Sequence, residues 1–159
     1  MIGNSELTLT PEDYDKAFTE VSFLLDMLID TITTFVGKST PSLVVAAGRK
    51  MAGNMPVHMV EKTPALALNE LIRVLRIQRM NIGARLEGAE AVLSMQDCPI
   101  GSVCKNRNME LGSQVCQMFH YYLAGILAEL SGCPARPKTL TVGEHCTFSL
   151  TFSAAARPL

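Results

Sequence analysis

The stretch that most constrains this chain runs from Gly112 to Phe152, where a long apolar helix pattern meets a proline-rich turn and then an alternating strand pattern. Leu111, Val115, Phe119, Tyr122, Ile126 and Leu130 recur at steps of three and four, which places them on one helical face. Met118, Leu123 and Leu127 broaden that face, as expected of a helix buried on more than one side. Gly132 supplies the left-handed residue that ends such a helix, and Pro134 and Pro137 prevent its return. Beyond them Cys146, Phe148, Leu150 and Phe152 alternate with Thr147, Ser149 and Thr151. That is a half-buried strand with Cys146 on its inner row.

Upstream, three threonine–proline pairs read as helix starts: Thr10–Pro11, Thr40–Pro41 and Thr63–Pro64. From the first, Phe18, Val21, Leu25, Leu28, Ile32 and Phe35 keep a strict 3-4 spacing, and Tyr14, Leu24, Ile29 and Val36 widen the row. Such a face is either part of a long core helix or a surface for a second subunit. Gly48, inside the second helix, points to a close helix approach or to room for a ligand. After the third helix the period changes to two: Met80, Ile82, Ala84 and Leu86, then Ala91, Leu93 and Met95, separated by Glu87–Gly88. This predicts a hairpin.

The chain has 159 residues, of which 18% are charged, with a net charge of −1. That is one domain's length, and the charge gives no electrostatic case for nucleic acid. The first ten residues lack the basic and apolar regions of a signal peptide. The apolar run Val21–Ile32, interrupted by Asp26 and Asp30, is too short to span a bilayer. A cytoplasmic location is expected. Five cysteines, an odd number, argue for thiols or a metal rather than a disulfide framework. Cys116 and His120 stand four apart on one helical face and could share an ion, for which zinc is the expected metal. The alternative is buried thiols and a hydrogen-bonded structural histidine. Cys98 and Cys104 fall in an expected loop, where they are better placed as reactive thiols. Arg73, Arg76, Arg79 and Arg85, with Lys105 and Arg107, read as a solvated basic face. No nucleophile elbow, phosphate loop, paired catalytic carboxylates or dinucleotide fingerprint is present, which speaks against an independent oxidoreductase.

Cys116 opening the helix, Gly125 further along it, the Leu130–Ser131–Gly132 end, and Gly143–Glu144–His145–Cys146–Thr147–Phe148 in the last strand together resemble the 4-vinyl-reductase, or hydrocarbon-binding, domain. That domain shares its fold with transport-particle subunits of eukaryotic trafficking. The resemblance is tightest over about forty residues. It implies a homodimer paired through the first helix. Some phenol-sensing relatives hold zinc with the helix-opening and final-strand cysteines plus an acid and a cysteine from the turn between. Cys116 and Cys146 stand at the first two positions, whereas the turn from Cys133 to Lys138 lacks an acid and its cysteine sits early.

The expectation is therefore an α+β domain with helices packed on one face of an antiparallel four-stranded sheet. Helices are placed at 11–36, 41–53, 64–75 and 109–131, and strands at 78–86, 89–97, 138–142 and 145–152. A small, largely apolar ligand is expected between the central helix and the sheet, lined by Met80, Ile82, Phe119, His120, Leu123 and Phe148. Any metal is expected at Cys116 and Cys146, since the chain's return brings the start of the last strand level with the start of the helix. Further ligands would come from Cys98, Cys104, His120 or His145. A scaffold subunit with a filled core, and a tetrapyrrole-related reductase or accessory factor, are the competing functions.

Overall fold

The computed structural model describes residues 8–37 and 40–154, without the side chains of Ile29 and Val36. The readings placed on the first seven residues, on those two side chains and on the last five residues of the tail lie outside the described residues. Three threonines open helices as their sequence context predicts. Thr10 and Asp13 form a reciprocal cap for α1 (Pro11–Val36): the Thr10 hydroxyl accepts from the Asp13 N–H at 3.2 Å, and the Asp13 carboxylate accepts from the Thr10 N–H at 2.8 Å. Thr40 is the first residue of α2 (Thr40–Ala52), and Thr63 caps α3 (Pro64–Ile77) by accepting from the Leu66 N–H at 3.3 Å.

β1 (Asn81–Glu87) and β2 (Glu90–Gln96) form the expected hairpin, turned by Gly88 at φ 61°. α4 (Pro99–Asn106) leads to α5 (Gln114–Ser131), and β3 (Ala135–Thr141) and β4 (His145–Phe152) close the chain. All pairings are antiparallel and the sheet order is β1-β2-β4-β3. The fold is thus α+β, one domain, with the helices over one face of one sheet.

Four boundaries differ from expectation, each for a local reason. β1 starts at Asn81 rather than 78, because α3 continues to Ile77 and Arg79 then takes a left-handed φ of 63°. The segment after Cys98, expected as a loop, is α4, begun by Pro99 at its first turn. α5 begins at Gln114 rather than 109, because Asn108 and Gly112 have φ of 52° and 80° and break the helix before it. β3 begins at Ala135, three residues early and through Pro137. It is an edge strand, where a missing N–H is tolerated.

The core lies between α3, α5 and the inner row of the sheet. Leu71, Leu123, Leu127, Leu93, Met95, Phe148 and Leu150 are all fully buried there. The register explains the row: Met95 faces Cys146, Leu93 faces Phe148 and Ala91 faces Leu150. α2 packs on α5 at backbone distance. A Cβ on Gly48 would overlap the Tyr122 carbonyl oxygen, and one on Gly125 would overlap the Val45 carbonyl oxygen. Gly48 therefore serves helix packing, not a ligand.

α1 packs differently. No apolar side chain described on it belongs to the buried core. It is held by polar contacts: Thr19 to Asn106 at 3.5 Å, Thr33 to Gln114 at 2.7 Å, and the Arg107 guanidinium 3.4 Å over the Phe23 ring. Its 3-4 row stays exposed, from 38% at Ile32 to 86% at Phe35, even where Phe18, Val21 and Leu25 border a groove toward the other helices.

Candidate functional site

An apolar groove of ≈ 490 Å³ runs between α1, α2, α4 and α5. Phe18, Val21 and Leu25 form its α1 wall, and Val115, Met118, Phe119 and Tyr122 its α5 wall. Val44 and Ala47 of α2, Met80, and Pro99 and Ile100 of α4 complete the lining. The size suits a small organic molecule. Its polar members are few: Ser22 and Asp26 on α1, and the Tyr122 hydroxyl, whose pKa burial raises. Neither Ser22 nor Asp26 makes a side-chain hydrogen bond or ion pair among the described residues.

A second feature lies under the start of α5, where Cys98, Cys116, Phe119, His120 and Cys146 border a cavity of ≈ 20 Å³. That is about the space of one water molecule. The sulfurs of Cys104 and Cys116 are 4.0 Å apart. Burial, then the neighbouring Cys116, pushes the Cys104 thiol up to about 11, and burial with Cys98 and Cys116 nearby does the same to Cys146. Burial raises Cys98 as well. All five cysteines are free. Protonated, enclosed thiols of this kind are poor nucleophiles. Cys104 in particular, expected on a loop, is a fully buried residue of α4.

His120 stacks on Phe148 with ring centroids 4.1 Å apart, and its Nδ1 lies 3.1 Å from the Thr139 hydroxyl. Burial lowers its pKa to about 4, so the imidazole is neutral near pH 7. Three of the arginines read as a basic face are engaged locally. Arg73 pairs with Glu70 at 2.8 Å, Arg76 donates to the Ile82 carbonyl at 3.0 Å, and Arg85 pairs with Glu87 at 3.2 Å.

The expected ligand-lining residues are thus divided. Met80 and Phe119 border the groove; His120 borders the small cavity, as Phe119 also does. Ile82, Leu123 and Phe148 are packed in the core between α5 and the sheet. The groove itself lies on a different flank of α5, toward α1 and α2. Of the groove's lining, sequence reasoning found only Met80 and Phe119, and it missed the polar pair Ser22 and Asp26. Two polar residues one helical turn apart in an otherwise apolar run were the signal available.

Among the expected metal ligands, Cys116, Cys146, Cys98 and His120 meet at the small cavity, with Cys104 behind Cys116, while His145 is exposed at the strand end. Among the described residues, no set of three or more His, Cys, Asp or Glu side chains is arranged to hold a metal ion. The donors themselves are chemically suited to zinc.

Fold and site together define a small α+β domain with helices over one face of a four-stranded sheet and an apolar groove between its helices. No family model matches the chain, and no curated protein does. Among solved structures it is similar to the phenol-responsive sensory domain of the transcription activator PoxR with phenol. The TM-score is 0.52 and the identity 15%, over 82% of this chain and 74% of that one. At that identity the likeness is one of fold alone, and no comparison shows the 4-vinyl-reductase family. No described helix is long and apolar enough to cross a membrane.

Proposed function

We propose that this chain is a binding or sensing domain that takes a small, largely apolar molecule in the groove between α1, α2, α4 and α5. The groove is the observation that carries the reading: ≈ 490 Å³ with walls that are almost entirely apolar. Exposed apolar surface of that kind is costly unless something covers it. A similar fold in a phenol-responsive sensory domain supports the same reading. Native mass spectrometry of protein purified without added ligand tests it. Retained molecules that organic solvent extracts, or saturable uptake of an apolar fluorophore, are expected. Protein that carries nothing and takes up no fluorophore would overturn the reading.

The outward row of α1 favours a homodimer as the working form. Tyr14, Phe18, Val21, Leu25, Leu28, Ile32 and Phe35 repeat at 4-3-4-3-4-3 over three heptads, and every one is exposed. A strict heptad row fits another helix carrying the same repeat. The chain itself supplies one in a second copy.

A further inference from the structure

We infer that Ser22 and Asp26 are the polar end of the groove, and that they make it select alcohols and amines over carboxylic acids of the same size. The inference rests on the reading of the groove as a ligand site and names the ligand's head group. Ser22 is only 6% exposed, yet its hydroxyl makes no hydrogen bond among the described residues, and it lines the groove. The oxygen itself is not sealed off, since among the described residues the Ser113 Oγ alone is a buried side-chain oxygen without a partner, so the Ser22 hydroxyl stays open to a ligand in the groove. Asp26 stands one helical turn on, so both side chains rise from the same face of α1. Its carboxylate has no ion-pair or hydrogen-bond partner among the described residues.

The donor inventory then sets the preference. Ser22 can donate or accept, whereas an Asp26 carboxylate only accepts. A ligand hydroxyl can accept from Ser22 and donate to Asp26, satisfying both. An amine donates to Asp26, and its positive charge complements the carboxylate. A ketone accepts from Ser22 but leaves Asp26 without a donor. A carboxylate ligand places like charges together in an apolar groove, where they are poorly screened. The apolar body of any of these ligands would lie along Val21, Leu25, Val115, Met118 and Phe119.

Displacement of diphenylhexatriene, a fluorophore with no hydrogen-bonding group, tests this with four eight-carbon competitors: 1-octanol, octylamine, 2-octanone and octanoate. The alcohol and the amine are expected to displace it at concentrations at least about tenfold below octanoate, with the ketone between. Asp26→Asn should bring octanoate within a few-fold of octanol, and Ser22→Ala should weaken the alcohol and ketone several-fold. Each variant's competitor concentrations are read relative to its own fluorophore affinity. Octanoate matching octanol in the unsubstituted protein would overturn the inference while leaving the groove a ligand site. So would an order of competitors that Asp26→Asn does not change. A protein that binds no diphenylhexatriene and none of the competitors would overturn both together. The wild-type ranking stands without either variant, so a variant that misfolds does not rescue the claim.

Discussion

His120 combines a titratable ring with an almost fully buried position, 4% exposed, against Phe148. Burial lowers its pKa from 6.5 to about 4, so the folded protein resists a proton that the unfolded chain accepts. Between pH 6.5 and 4 the unfolded state binds more protons at this site, and stability falls as pH falls through that window. The loss at the lower end is up to about 3 kcal/mol. Urea unfolding at pH 7 and pH 4.5 should show that His120→Phe, which keeps an aromatic ring against Phe148, loses markedly less stability on acidification than wild type. Equal losses would show that the imidazole does not titrate this way. The sequence weighed His120 as a ligand or as a hydrogen-bonded structural residue. Its Thr139 partner lies on the expected strand, but which strand residue meets the helix is set by tertiary packing.

At the scale of elements, the α2–α5 crossing is the tightest constraint in the fold. Gly48 and Gly125 each face a carbonyl oxygen of the other helix, so any side chain forces the pair apart. Gly48→Ala gains helix propensity worth about 1 kcal/mol, but the steric cost exceeds it. A net loss of about 1–3 kcal/mol is expected, read as a lower midpoint in thermal or urea unfolding. An unchanged or raised midpoint would refute the close approach. Both glycines were visible in the sequence, and only the structure shows that they lie in one crossing. The long helices, the β1–β2 hairpin and β4 were legible from period and capping, because each rule acts within a few residues. α4 was not: it has eight residues, and Cys98 before it makes no side-chain cap bond. The groove was not legible either, since it is made by flanks of four helices whose relative rotation no local pattern encodes.

At the scale of the molecule, the row of α1 is an extended apolar surface left uncovered, and the proposed dimer has a direct test. Leu28 and Ile32 belong to the row but do not line the groove, so charging them separates association from ligand binding. Leu28→Lys with Ile32→Lys should convert a dimer into a soluble monomer that still unfolds cooperatively, as read by sedimentation and thermal scans. A dimer that persists would place the interface elsewhere, and an unfolded product would make the row part of the monomer's own core. The sheet bears on what kind of assembly can follow. Its two edges are both blunted: β3 carries Pro137 and a register shift between Thr139 and Thr141, and on β1 the Ile82 carbonyl is taken by Arg76. Strand addition is disfavoured at these points of the two edges. A two-fold pairing of one helix with its own copy satisfies itself at two subunits and leaves no surface for a third. A dimer of that kind would have no open end from which fibres could grow.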